Sequence, residues 1–301
     1  FKKKKRKVKD AILKKIRLLT DIGVKVYLLG KIIKNKKEKP LQFRGFENMT
    51  LILPMAGAGS RFKMVGYDLP KPLLPIENEY MVVKAVECLP PCKENTFICL
   101  SEHLEKYPTI ETVLKDKFNA HIIKLDNITQ GQACTCEFAM YDMKYNEPIL
   151  ISACDNGAYY DVDKLYKLID DPSIDVIVWS FTNNPTSKLY PHMYAWLDVD
   201  ETNTLHHVSV KKPSENKPNI HAIIGTMLFK KSKIFKEGYQ YITHHNIQTN
   251  GEYYVDDMLN PLIKMGYKIK IFPVDYYLCW GTPNDYKTYD YWCEYFKNKN
   301  I

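Results

Sequence analysis

Leu51-Ile-Leu-Pro-Met-Ala-Gly-Ala-Gly-Ser-Arg-Phe62 is the stretch from which the rest of the chain can be read. A short apolar run, Leu51–Pro54, passes straight into Gly57, Gly59, Ser60 and Arg61. Glycines let a backbone turn sharply and approach a phosphate with no side chain in the way. Their N–H groups can then point at phosphate oxygens. The spacing is not the dinucleotide fingerprint, and no GK[ST] loop follows. A strand running into such a loop predicts the opening of an α/β unit.

Downstream, apolar runs alternate with amphipathic ones. Strands are expected at Leu51–Pro54, Thr96–Leu100, His121–Leu125, Ile149–Ala153 and Val176–Phe181, with helices at Glu102–Phe118, Gln132–Met143 and Val162–Ile169 between them. Such alternation predicts a Rossmann-like α/β fold, a mostly parallel mixed sheet with helices on both faces. Beyond Met193 the rhythm becomes strand-like at Tyr194–Val199, His206–Val210 and Ile220–Phe229. Helices are then expected at Val255–Met265 and Asp285–Phe296.

Upstream the pattern differs. Residues 1–49 hold 17 Lys/Arg against 4 Asp/Glu, a net +13, while the remainder holds 26 against 31, a net −5. The basic character of the whole chain, +8, therefore belongs to its first 49 residues, and no nucleic-acid partner is expected for the rest. Ile12, Leu13, Ile16, Leu18 and Leu19 suit a basic amphipathic helix. The division expected is 1–49, a basic segment or the end of an upstream domain, and 50–301, the globular domain. Deleting residues 1–45 is expected to leave steady-state kinetics unchanged; a truncated chain that is folded by circular dichroism but inactive would refute the boundary. No apolar run has the length of a membrane span. The eight cysteines form no CxxC pair, which fits reduced thiols in a cytoplasmic protein.

Two basic residues stand out. The chain has four arginines, Arg6, Arg17, Arg44 and Arg61, so from residue 45 onward lysine does every basic job but one. The exception predicts a need for guanidinium geometry, whose planar fork grips two phosphate oxygens at once. Ten residues on, Pro70, Pro72 and Pro75 fix the backbone around Lys71. A lysine held that way is suited to neutralising charge on a reacting phosphate.

Taken together, Gly-Ala-Gly-Ser-Arg-Phe, Gly66-Tyr67 and Pro-Lys-Pro-Leu-Leu-Pro resemble the signature of the sugar-phosphate nucleotidyltransferases, the pyrophosphorylases that make nucleoside-diphosphate sugars. The resemblance covers about residues 50–297. It implies the nucleotide-diphospho-sugar transferase fold, a cytoplasmic Mg²⁺-dependent enzyme, and a place in nucleotide-sugar supply for polysaccharide biosynthesis. It implies that Ala56, Gly57, Gly59, Ser60, Gln130 and Gly131 bind the nucleotide. Arg61, Lys71 and Asp155 would be catalytic, with Asp155 also the metal ligand. Lys212, from Val210-Lys211-Lys212-Pro213, would contact the acceptor's phosphate, with Gly225 and Glu252 also on the acceptor.

One stretch departs from the pattern. Leu278-Cys279-Trp280-Gly281-Thr282-Pro283 puts Cys279 where that family often has a second metal-binding aspartate. Thiol suits hard Mg²⁺ poorly. Either Asp155 and phosphate oxygens hold the metal with water, or another carboxylate such as Asp275 substitutes, or activity is lost.

The reaction implied is transfer of a nucleotidyl group from a nucleoside triphosphate to a sugar 1-phosphate, releasing pyrophosphate. A cytidylyltransferase acting on phosphocholine or another non-sugar phosphate is the rival enzyme, since Tyr253, Tyr254, Tyr276, Tyr277 and Trp280 could cage an ammonium. A non-catalytic nucleotide-sugar-binding subunit is the rival of another class, motivated by Cys279. The partners expected are the triphosphate, the phosphorylated acceptor, and an upstream domain or a second copy of the chain.

Overall fold

A computed structural model describes residues 48–141, 143–184, 187, 189–212 and 220–298, without the side chains of 296 and 297. The basic segment up to residue 47, with Arg6, Arg17 and Arg44, lies outside the described residues, as does Pro213. Two compact units are distinguished: residues 43–277 and, among the described residues, 278–298.

The larger unit is built on nine strands: β1 Thr50–Pro54, β2 Glu94–Leu100, β3 His121–Leu125, β4 Ile149–Ile151, β5 Val176–Phe181, β6 Ala195–Val199, β7 Leu205–Val210, β8 His221–Phe229 and β9 Ile269–Pro273. They lie in the order β7-β6-β8-β4-β1-β2-β3, with β5 on β8 and β9 on β5. β1 runs parallel to β2 and β4, β2 to β3, and β5 to β9, whereas β8 runs antiparallel to β4, β5 and β6. This is the mixed sheet expected.

Both faces of the sheet are covered. Along β1, Leu51 and Leu53 point into one apolar cluster and Ile52 into another. Successive side chains of a strand alternate between faces, so each face must have its own cover. On one face lie α2 (Met81–Glu87), α3 (Ser101–Lys106), α4 (Thr109–Phe118) and α6 (Val162–Asp170); on the other lie α5 (Gln132–Glu137), α7 (Ser232–His244) and α8 (Leu259–Lys264). The four-residue α1 (Ser60–Lys63) follows β1.

The strand expectations hold to within two residues. The helix expectations need three corrections. Glu102–Phe118 is two helices, because Pro108 breaks the run between Lys106 and Thr109. Gln132–Met143 ends as α-helix at Glu137 and tightens to 3₁₀ over Phe138–Met140; Val255–Met265 likewise begins as 3₁₀ over Asp256–Met258. The thirteen-residue α7 was not anticipated. Gly238 lies in its middle because a Cβ there would come within 2.9 Å of Met258 Cε.

In the smaller unit, α9 (Pro283–Asn298) is the main element. Thr282 Oγ1 donates to Asp285 Oδ2 at 2.7 Å and accepts from the Asp285 backbone N–H at 3.2 Å, which holds the helix start. The Cys279 thiol donates to the same Asp285 carboxylate at 3.5 Å.

Candidate active site

β1 and β4 are parallel neighbours, so the segments leaving their C-terminal ends emerge side by side. In an open α/β sheet that edge is where ligands bind. From β1 comes the glycine loop, anchored by Met55 N–H to Ile98 O at 2.7 Å. Ala56 is buried, while Gly57 and Ser60 are exposed. Gly59 has φ +61 and turns the chain into α1. From β4 comes Ser152–Asn156, anchored by Ser152 N–H to Ile52 O at 3.2 Å.

These two segments and the proline-fixed loop meet at an ion pair between Lys71 and Asp155. Pro70 is extended and Lys71 starts a 3₁₀ turn, so the lysine leaves the backbone at a set angle, its Nζ 5.8 Å from the Phe62 ring centre. Both side chains are mostly withdrawn from water, 18% and 23% exposed. Burial opposes each charge, but the partner outweighs it: the Lys71 ammonium is held above its ordinary range and the Asp155 carboxylate below its own. Arg61 adds to the stabilisation of Asp155 and acts against the charge of Lys71, so it faces both. Cys154 is no nucleophile, since burial pushes its thiol up to about 12.

Asn156 ties this centre to β8. Its Nδ2 donates to Ile224 O at 3.2 Å, and Ser152 Oγ shares a 2.9 Å hydrogen bond with Thr226 Oγ1. β8 pairs with β6 through His221 and Ala222 and with β4 through Met227–Phe229, and its ladder with β5 shifts register between Ile223 and Met227. Gly225 lies in that irregularity with φ +97. No atom lies within 4 Å of a Cβ built there, so the backbone is approachable beside Asp155.

Gln130 and Gly131 are fixed from the other side. Tyr253 N–H donates to Gln130 O at 2.9 Å and Ala133 N–H to Tyr253 O at 3.0 Å, locking the start of α5 to the 249–254 turn. Gly131 has φ +123, and a Cβ there would sit 2.6 Å from both Tyr253 N and Tyr253 O. Gly131→Ala is therefore expected to cost roughly 3 kcal/mol or more, from strained φ and a backbone overlap that no rotamer relieves. Urea denaturation checks it; wild-type stability would show that the loop has room to shift.

Glu252 is exposed and accepts from the Tyr254 hydroxyl. Beside it, the Asp256 carboxyl is perturbed the other way from Asp155: burial pushes it up to about 7, the neighbouring Asp257 charge adds to this, and Lys211 opposes it. The folded chain thus holds this proton more tightly than the unfolded one, and stability falls as pH rises from about 4 to about 7. Asp256→Asn cannot ionise. Its stability relative to wild type should rise across that window by on the order of 1–3 kcal/mol. A constant difference between pH 4 and pH 8 in denaturant titrations would place the Asp256 carboxyl in water.

The structure therefore joins Arg61, Lys71, Asp155 and Gly225 around one spot, with the glycine loop beside them and Gln130–Gly131 linked through Tyr253 to Glu252. Lys212 is not drawn in. It is exposed, its carbonyl accepts from Ser209 Oγ at 2.7 Å, and its side chain makes no hydrogen bond or ion pair among the described residues. Lys211, Asp256 and Asn156 are the site residues that sequence reasoning did not assign, and Tyr254, named there only as part of an ammonium cage, holds Lys211 instead. Asp275 donates its N–H to Tyr159 O at 3.0 Å. Among the described residues, no three His, Cys, Asp or Glu side chains gather as a ready-made metal cage.

No family model and no curated protein sequence matches the chain. Solved structures do match in fold. A nucleoside-diphosphate-sugar pyrophosphorylase from Vibrio cholerae RC9 is 18% identical, with 79% of this chain and 98% of that one covered and a TM-score of 0.63. The inositol-1-phosphate CTP transferase from T. maritima is 14% identical, covering 84% and 98% at a TM-score of 0.63. A CMP:2-keto-3-deoxy-manno-octonic acid synthetase complexed with CTP is 16% identical, covering 82% and 99% at 0.58. The chain has the fold of these nucleotidyl-transferring proteins, over nearly their whole length.

Proposed function

We propose that the chain is a nucleotidyltransferase that joins a nucleoside triphosphate to a sugar 1-phosphate and releases pyrophosphate. The observation that carries this reading is the Lys71–Asp155 pair, faced by Arg61, at the C-terminal ends of neighbouring parallel strands. That arrangement lies in a fold shared with proteins described as a pyrophosphorylase and a CTP transferase.

The reaction is an in-line displacement at the α-phosphorus. An oxygen of the acceptor's phosphate, already anionic at neutral pH, forms the new P–O bond. The bond from the α-phosphorus to the bridging oxygen of the β-phosphate breaks, and its electron pair leaves with pyrophosphate. No protein nucleophile is needed, so the protein's work is to bring two anions together and stabilise charge. Glycine-loop amides, Arg61 and Lys71 do this at the triphosphate. Gln130 and Gly131 receive the base, and Gly225 and Glu252 the acceptor.

Mg²⁺ fits the residues present on one condition. Lys71 takes Asp155 Oδ2, which leaves Oδ1, held only by a long 3.4 Å contact from Asn156, as a donor. One carboxylate oxygen suffices where phosphate oxygens and water complete the shell. When bound, the ion would neutralise charge on the triphosphate. The eight free thiols fit a reducing compartment, and on that ground the location proposed is cytoplasmic. No helix among the described residues is long and apolar enough to cross a membrane.

Transfer to a non-sugar phosphate such as phosphocholine is the second reading. The fold shared with a protein described as an inositol-1-phosphate CTP transferase favours it, while the Tyr254 ring is already taken by the Lys211 ammonium 5.3 Å from its centre. A pyrophosphate-release screen of four triphosphates against sugar phosphates and phosphocholine separates the two. Release with no pairing in the panel would leave a binding subunit and refute both.

A further inference from the structure

Lys211 lies where β7 ends, on the β6–β8 side of β4, away from the glycine loop that follows β1. Its backbone has φ +56, a left-handed conformation that a lysine adopts at a cost. The chain is held there by Lys211 N–H donating to Tyr194 O at 3.1 Å. The side chain turns inward: Nζ donates to Met193 O at 3.0 Å and sits over Tyr254. An ammonium has three donors, and Met193 uses one.

Burial disfavours the charge of Lys211, Asp256 supports it, and Arg61 opposes it. The Arg61 charge thus acts on Lys211 as it acts on Lys71. Three cations drawn into one field repel one another, and an anion is what such a field suits. Lys71 is already neutralised by Asp155. Lys211 is supported by the Asp256 carboxyl, itself reluctant to ionise, and more weakly by Glu252.

We infer that Lys211, rather than its exposed neighbour Lys212, is the cation that meets the acceptor's phosphate, and that Met193 O, Tyr254 and Asp256 position it. This rests on the proposed nucleotidyl transfer and reverses the assignment that the sequence pattern alone supports. The ring and carbonyl hold the ammonium in place, and the Arg61 charge acts on the same ammonium. The next lysine, Lys212, is exposed and its side chain makes no hydrogen bond or ion pair among the described residues.

The test compares Lys211→Met, Lys211→Arg and Lys212→Met in the full chain. Lys211→Met should raise the acceptor KM about tenfold more than Lys212→Met does, with kcat and triphosphate KM moving much less. Lys211→Arg, which keeps the charge, should recover most of the loss. That rescue separates a charge role from a packing role. Equal effects of the two Met variants, or a larger effect at Lys212, would overturn the assignment. Binding of inorganic phosphate, followed by ³¹P line broadening, makes the same comparison without turnover. If the wild-type chain releases no pyrophosphate in any pairing, the proposed reaction falls, and the phosphate titration alone decides on Lys211. Weaker phosphate binding in Lys211→Met than in Lys212→Met supports it; no phosphate binding by wild type, equal loss or the reverse order overturns it.

Discussion

Asp155→Asn is expected to lower kcat/KM by about three orders of magnitude. The Asp155 carboxylate pairs with Lys71 at the ends of β1 and β4, and against the cost of burial that lysine holds it below its ordinary range. Asparagine keeps the shape and loses the charge. The loss is felt twice: the donor for a divalent cation goes, and Lys71 is left largely buried without its counter-ion. A buried charge stripped of its partner costs about 3–5 kcal/mol of stability, so the variant must be assayed at a temperature where circular dichroism shows it folded. A folded variant within tenfold of wild type would remove Asp155 from the chemistry. Full turnover in excess chelator would remove the metal and leave Asp155 as an orienting partner of Lys71.

Lys71→Ala is expected to lower kcat by about two to three orders of magnitude while moving the acceptor KM far less. Lys71 leaves a proline-fixed loop and pairs with Asp155; in the proposed reaction its charge would meet that developing on the departing pyrophosphate. A contact made mainly in the transition state shows in kcat, whereas uniform binding shows in KM. Because Lys71 and Asp155 neutralise each other, the double variant should lose much less than the product of the single losses. Additive losses would mean that the two act on separate steps. A large rise in acceptor KM at unchanged kcat would move Lys71 to the acceptor side.

Much of this centre was legible beforehand, for a local reason. Gly57, Gly59, Ser60 and Arg61 follow one strand within a few residues, and Pro70–Lys71–Pro72 announces its own rigidity. Asp155 closes an apolar run and so had to stand at a strand end. Each inference needed only neighbours in sequence. Eight of the nine strands were legible because apolar runs bounded by turns are a local signal, while Ile269–Pro273 was not anticipated. The helix α7 was missed although Ile234, Phe235, Gly238 and Ile242 share one helical face, the mid-run glycine being a poor helix former that packing against Met258 and Leu262 requires.

Lys211 and Asp256 were not legible in this way. Lys211-Lys212 is a pair of like residues, and pattern alone favoured the second. Which of them turns inward depends on a positive φ at residue 211, a carbonyl at 193 and a ring at 254, contributed by three separate parts of the chain. Asp256 is an unremarkable acidic residue until folding removes water from it and sets Asp257 and Lys211 around it. Sequence by itself therefore determined most of the sheet, the glycine loop after its first strand, and the placing of Lys71 in a stiff loop and Asp155 at a strand end, because these follow from periodicity and backbone stiffness. Tertiary structure alone decided that Lys71 and Asp155 pair, that Gly131 abuts Tyr253, and which lysine faces Arg61, because desolvation and Coulomb interaction depend on distances in space between residues far apart in the chain.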